Sequence, residues 1–348
     1  MSAGLTIQLI AILISVACSL LGVFLVLRSM SMLTDAISHT VLLGIVLSFF
    51  ITHKLDSPLL IVGATLTGLL TVYLVEVLSD SKLVKEDAAI GIVLSILFSI
   101  AVILISKYTA NIHLDIDAVL LGEIAFAPFH TTEIFGFKLA TGLVSGFAIL
   151  VVNLLFITIF FKELKISTFD KALAVTLGMQ PVLVHYILMS LVSVTAVTSF
   201  GAVGSILVVA FMIGPPITAY LLTNKLKEMI ALSLLIGAVA SVIGYNMAIL
   251  FDVSIAGSIA LIIGVLFIVV LILSPKSGLI STIKRKRNQK LEFSVKILLI
   301  HIANHMNTPQ ETDECGVDTL EYHLRWEKMF LNKVLKKAME KKLIYIEN

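Results

Sequence analysis

Residues 28–44 read RSMSMLTDAISHTVLLG: a basic residue, a short polar string, then an apolar run that carries an acid, Asp35, and an imidazole, His39. Four residues are a little more than one helical turn. A helix here sets both side chains on one face, about 6 Å apart along its axis. A carboxylate and an imidazole are an unusual lining for a hydrophobic wall. Inside a membrane such groups are costly, and by default they mark an ion path or a ligand site.

The rest of the chain says whether a membrane is the right setting. Of 348 residues, 58% are hydrophobic and 14% charged, with a mean hydropathy of +1.06, far outside the range of a water-soluble domain. Apolar runs of spanning length recur at roughly 5–27, 36–53, 58–79, 88–106, 135–161, 181–199, 201–223, 229–250 and 255–274. The expected fold is therefore an all-α polytopic membrane protein, with eight transmembrane helices, or nine if the short run 36–53 crosses. The first run has no basic residue before Arg28 and is too long for a signal-peptide core, so it reads as an uncleaved span. Cys18 lies in that span and Cys315 in the C-terminal tail, so no disulfide joins them on this reading.

Charge divides and orients the chain. Twelve of the 25 Lys and Arg fall in residues 1–280 and thirteen in 281–348, which suggests a transmembrane domain, 1–280, and a cytosolic C-terminal extension, 281–348. With nine spans and the N-terminus outside, nine basic residues from Arg28 to Lys276 face inward and only Lys54, Lys107 and Lys138 face outward. The run KRKR at 284–287 then adjoins the inner leaflet. If Arg28 marks the cytoplasmic interface and the helix is continuous, His39 lies roughly 16 Å deeper, about half of a ~30 Å hydrocarbon core.

Three roles compete for Asp35 and His39. A structural hydrogen bond or ion pair could lock two helices together. A proton relay is a second reading, since histidine titrates near neutrality. A transient metal site is the third: carboxylate plus imidazole suits Mn²⁺, Fe²⁺ or Zn²⁺, and no thiolate lies near to make a tight, soft-metal trap.

The stretch RSMSMLTDAISHTVLLG resembles the signature of metal-ion permeases of the ABC-3 type, the membrane subunits of manganese, zinc and iron importers. The likeness continues through EDAAIGIVLS (86–95), AVLLGEI (118–124), FDKALAVTLGM (169–179) and VGSILVVAFMIGPPITAYLL (203–222), in order over most of residues 5–275. The resemblance implies a plasma-membrane permease subunit of an ATP-driven importer of divalent transition metal ions, Mn²⁺ ahead of Zn²⁺ or Fe²⁺. It also implies that Asp35 and His39 attend the metal's passage, and that no cofactor is bound permanently beyond the transported ion. Thr34 stands where the family often has Gly. Leu43 stands where its manganese-type members often have Pro, which would bend the helix just past the pair; zinc-type members also carry Leu there.

Residues 162–181, KELKISTFDKALAVTLGMQP, form an inward-facing connection. A short helix is expected to start after Ser167 or Thr168, with Asp170 in its first turn, and to stop at Gly178 before Pro181. Leu173 and Leu177 fall at i and i+4, an apolar face with nothing to bury it. An interfacial helix lying on the bilayer has a similar pattern. The resemblance makes this the coupling helix, with Phe169, Asp170, Leu173, Leu177 and Gly178 docking into a cleft of the ATP-hydrolysing subunit.

No G-x-x-x-x-G-K-[ST] loop occurs anywhere in the chain, so nothing here cradles ATP phosphates, and the chain reads as a transport subunit rather than an enzyme. By resemblance its partners are two ABC ATPase subunits, a second permease subunit (identical or a paralogue), an extracellular metal-binding solute-binding protein, and membrane lipid. That binding protein would meet the outer segment 107–133, which holds His113, Asp115, Asp117, Glu123 and His130. Alternating polar residues on an exposed loop are ordinarily a solvated face, and the first three read that way. His185, Met212, Met247 and Glu76 read as helix packing or interfacial groups. GAVGS at 201–205 suits close helix approach. Pro215 and Pro216 are expected to break a helix where neighbours satisfy the freed carbonyls.

The tail offers one helix over 292–306 and two over 317–342, ending in a strand-like LIYI at 343–346, an order similar to a winged helix. Lys333, Lys336, Lys337, Lys341 and Lys342 form a basic face, but nine acidic residues in the same tail dilute its field, and nucleic acid is not expected as a partner. His301 and His305 repeat the i,i+4 spacing with Asp313, Glu314, Cys315 and His323 nearby, a candidate regulatory metal site. Two readings from other classes stand beside the importer: an ion-coupled secondary transporter in which Asp35 and His39 carry protons, and a membrane-anchored metal-responsive regulator resting on the tail.

Overall fold

The computed structural model describes residues 2–53, 57–108, 124–134, 137–275 and 278–345. Among them, nine helices are long and apolar enough to cross a membrane: α1 (Ala3–Leu27), α2 (Ser31–Thr52), α3 (Pro58–Asp80), α4 (Glu86–Tyr108), α5 (Thr141–Ile159), α8 (Pro181–Val203), α9 (Ser205–Leu222), α10 (Leu226–Phe251) and α11 (Ile255–Leu273). The short run at 36–53 is thus a helix of 22 residues, extended backward through the polar string. α1 and α2 are separate: Ser29 takes a left-handed φ of 61° between them. Counted from Ser31, His39 lies roughly 12 Å along its helix, shallower than a continuous helix from Arg28 would put it.

The expected span over 135–161 is trimmed at its start. Strands β1 (Thr131–Ile134) and β2 (Phe137–Ala140) pair antiparallel, with Glu133 opposite Lys138, and α5 begins only at Thr141. Threonines and a cross-strand charge pair favour a short ribbon over a helix turn here.

The chain divides into two compact units, Met1–Leu271 and Ile272–Asn348. In the first, α1 is the central post, packed against α5, α8, α9 and α10, while α2 packs on α3 and α4. One close approach is to α9. Gly22 lies so near the Met212 carbonyl that a Cβ there would stand 2.0 Å from the oxygen. Pro215 and Pro216 do not break α9, which runs through both. Pro215 cannot donate to the carbonyl four residues back, that of Phe211, and Ser19 Oγ donates to that oxygen instead at 3.2 Å. A serine on the neighbouring helix thus replaces a missing backbone bond, as a water-free interior requires. Asn153 on α5 joins a second node, donating to Ala17 O (3.2 Å) and Thr195 Oγ1 (3.0 Å).

The second unit contains α12 (Leu279–His305), α13 (Glu311–Glu314), α14 (Leu320–Leu324) and α15 (Lys328–Glu340). Its core is Val295, Leu298, Leu320, Leu331, Val334, Leu335 and Ala338. The first helix is far longer than 292–306, because 279–291 is a strongly polar stretch of good helix formers that simply continues it. Residues 343–345 form no strand and 346 lies outside the described residues, so the described part of the tail is helical and shows no wing. Lys337 and Lys341 reach across to Glu292 at 3.0 and 2.5 Å, which takes two lysines out of the free basic face. Cys18 and Cys315 are both free thiols.

Candidate metal site

On α2, His39 Nε2 lies 3.6 Å from Asp35 Oδ1, with 40% and 50% of the two side chains exposed. The His39 ring meets Phe98 of α4 edge-on, centroids 5.8 Å apart. One residue further, Thr71 of α3 donates to Thr40 Oγ1 at 2.7 Å, holding α2 against α3. The pair therefore sits on a well-packed helix and presents one carboxylate and one imidazole outward. Two protein donors leave most of an ion's coordination shell for water or another surface. The segment with His113, Asp115, Asp117 and Glu123 lies outside the described residues.

A second polar constellation sits where α1 ends. Arg28 donates from Nε to Thr168 Oγ1, from Nη2 to Ser167 Oγ and from Nη1 to His185 Nδ1, each at 3.1 Å. Arginine only donates, so Nδ1 of His185 accepts and the ring proton sits on Nε2. That nitrogen lies 2.7 Å from Glu76 Oε1, and Tyr186 donates to Glu76 Oε2 at 2.7 Å. Sequence reasoning read Glu76 and His185 as packing or interfacial groups and missed the network. A signal was present: Arg28, Glu76 and His185 each fall within about five residues of the end of an apolar run, and alternate crossings bring those ends to one level.

Ser167 and Thr168 belong to α6 (Phe161–Phe169), and α7 (Lys171–Thr176) follows at once. Asp170 is not in the first turn of a single helix. It is the N-cap of α7, with an extended backbone and Oδ1 accepting from Leu173 N at 2.9 Å. The stop falls at Gly178 as expected. Its φ of 75°, with Met179 N on Ala174 O and Gly178 N on Val175 O, is a Schellman closure that a side chain would strain. Phe169, Leu173 and Leu177 are all exposed, an apolar face open at the same level as Arg28.

In the tail, the His301 and His305 rings meet at a tilt with centroids 4.8 Å apart. Cys315 is only partly buried, yet burial first, then Glu311 and Glu314, hold its thiol above its ordinary pKa, which disfavours the thiolate a metal would need.

The ABC 3 transport family matches residues 5–274. The chain belongs to that family. It is 44% identical over 336 residues to the zinc transport system membrane protein TroD of Treponema pallidum, covering 97% of this chain and 92% of the relative. It is 48% identical over 282 residues to the manganese transport system membrane protein MntD of Bacillus subtilis, covering 81% and 95%. Among solved structures, PsaBC from Streptococcus pneumoniae in complex with Fab superposes with a TM-score of 0.66 at 35% identity, covering 80% of this chain and 94% of that one. This ABC 3 chain is thus the permease subunit of an ATP-driven metal importer in the plasma membrane. It is not itself an enzyme; ATP hydrolysis resides in a separate subunit. The choice between ATP-driven and ion-coupled carriers falls to the first. The match to TroD takes in the tail, whereas those to MntD and PsaBC leave about a fifth of the chain outside.

Proposed function

We propose that this permease imports Mn²⁺ ahead of Zn²⁺ and Fe²⁺, passing the ion along a path at Asp35 and His39. The carrying observation is their 3.6 Å pairing on one face of a spanning helix. Hard carboxylate oxygen with borderline imidazole nitrogen suits Mn²⁺, and two donors per chain bind weakly enough to let the ion go. The manganese names borne by the Bacillus subtilis relative and by ScaB of Streptococcus gordonii, 38% identical, support this order, and TroD keeps Zn²⁺ next. A half-exposed ionisable pair cannot face lipid cheaply, so the reading gives that face to a second permease subunit, identical or paralogous, bringing its own donors.

The N-terminus lies outside and the tail inside, by the excess of inward basic residues. An extracellular solute-binding protein delivers the ion. Two ABC ATPase subunits receive Phe169, Asp170, Leu173, Leu177 and Gly178. ATP binding draws the ATPases together and moves α7. Because Ser167 and Thr168 hold Arg28, and Arg28 sits at the turn into α2, a displaced α7 pulls on the helix that carries Asp35 and His39. Arg28 is a positioning residue in this scheme, held in turn by His185 and Glu76.

Uptake of radioactive Mn²⁺ and Zn²⁺ by cells lacking their own importers, with the permease, both ATPases and binding protein supplied, tests the reading. Mn²⁺ uptake that survives a proton ionophore and stops when ATP is depleted is expected. Uptake of Zn²⁺ alone would overturn the metal order.

A further inference from the structure

The strongest cluster of ligand-type side chains among the described residues is in the tail, far in sequence from Asp35 and His39. His301 and His305 occupy the last two turns of α12, Glu314 closes α13, and His323 lies in the last turn of α14. Three separate helices thus bring three imidazoles and one carboxylate together. One ligand atom each from His301, His305 and Glu314 lie within 4.8 Å of one another. His323 Nδ1 is 2.9 Å from Glu314 Oε2, and the His301 and His323 rings stack at 6.2 Å.

We propose that His301, His305, Glu314 and His323 form a four-ligand site for a divalent transition metal ion, Zn²⁺ binding more tightly than Mn²⁺. Four protein donors complete a tetrahedral shell, the closed arrangement of sites that hold an ion rather than process it. Tetrahedral bonds of about 2 Å put donors roughly 3.3 Å apart, so the His301, His305 and Glu314 atoms, within 4.8 Å of one another, need draw in by only about 1–2 Å, with His323 following from its contact to Glu314. Three nitrogens and one oxygen favour Zn²⁺ over Mn²⁺ on the ordinary order of affinities. His301 Nε2 also lies 2.9 Å from the Glu314 carbonyl oxygen; the ordinary alternative is that these histidines only hydrogen-bond the loop. Coordination exchanges that bond for one to the ion and ties α13 and α14 to the end of α12. Such a clasp makes the tail's order depend on the metal inside the cell. With import as proposed above, on which this consequence rests, an ion-loaded tail slows further uptake.

The binding test uses the full chain, purified in detergent and stripped with chelator. Asp35→Ala and His39→Ala are included so that the transport pair contributes nothing. Equilibrium dialysis against Zn²⁺ is expected to leave about one ion per chain, with affinity falling about tenfold or more in Glu314→Gln and further in His301→Ala with His305→Ala. Glu314→Gln keeps the carbonyl and most of the side-chain volume, so it reports even if the double variant misfolds. No Zn²⁺ retained above background, or binding indifferent to these substitutions, overturns the site. The regulatory arm measures initial Mn²⁺ uptake in cells preloaded with Zn²⁺. Wild type is expected to slow severalfold while Glu314→Gln does not, the two being equal in metal-poor cells. Equal slowing in both overturns the clasp's role. Absence of all uptake would instead count against the import reading, and the dialysis result would still decide the site.

Discussion

The two i,i+4 pairs in this chain share a spacing and little else. Asp35 and His39 stand on α2 as two donors, half-exposed, with an aromatic ring for company. His301 and His305 stand on α12 with a carboxylate and a third imidazole folded over them, and His301, His323 and Glu314 show only 16–24% of their side chains to solvent. Spacing fixes which side chains share a helix face; the number of further donors is a tertiary matter. A pair left open suits an ion that must leave, and a closed set of four suits one that stays. The surroundings differ as sharply. Around α1 buried polar groups must find partners without water, whereas the tail's helices close on a small apolar core and are tied at its edge by partly exposed ion pairs that water can replace.

That difference predicts where the molecule breaks. The largest effect is expected at the α1–α9 contact. Gly22→Val puts a side chain into the Met212 carbonyl, and overpacking of this kind costs about 1–3 kcal/mol or more. The variant should fail to accumulate in the membrane on immunoblots; normal levels would show that the helices can part there. Next comes Arg28→Ala, which removes three hydrogen bonds from a charged donor. A loss of about 2–3 kcal/mol should appear as a lower melting temperature in detergent. Uptake per folded molecule should fall about tenfold while the ATPase subunits still bind. Unchanged uptake would detach α7 from α2. Leu173→Asp should do the converse, leaving the melting temperature alone but lowering co-purification of the ATPases. The smallest effect belongs to Glu292→Gln in the tail. Lys341 first, then Lys337, hold the Glu292 carboxyl below its ordinary pKa. Its folded-state value being depressed, the stabilisation is present above the ordinary carboxylate range and disappears as pH falls through the lowered value. Wild type and variant tails should differ slightly and evenly by hydrogen exchange near neutrality and converge only as the pH falls below the ordinary carboxylate range. A difference that grows on acidification would contradict the pairing.

Much of the bundle was legible because a spanning helix writes itself as a run of apolar residues, and eight of the nine runs needed only small adjustments at their ends. The 135–161 run misled because β2 and α5 are joined in one apolar stretch, and hydropathy does not distinguish strand from helix. α2 gained its first turn from residues 31–35, whose Ser, Thr and Asp kept them out of the apolar run. The i,i+4 spacing of Asp35 and His39 was enough to anticipate their 3.6 Å approach on one helix face. The Arg28–His185–Glu76 network was not, since its members lie 48 to 157 residues apart and only matched depth connects them. Gly178 gave away the end of α7 because a left-handed turn demands glycine. The step at Asp170 did not show, as an N-cap and a first-turn acid look alike in sequence.

Initial uptake of Mn²⁺ and Zn²⁺ by cells carrying Asp35→Asn tests the central claim most directly, with membrane levels matched to wild type and both ATPases and the binding protein present. Asparagine keeps the size and hydrogen-bonding reach of the side chain and removes the charge that would meet the ion. Uptake of Mn²⁺ falling to background with assembly intact is the predicted result. Uptake of both metals within about twofold of wild type would make Asp35 a structural contact and contradict a path along α2.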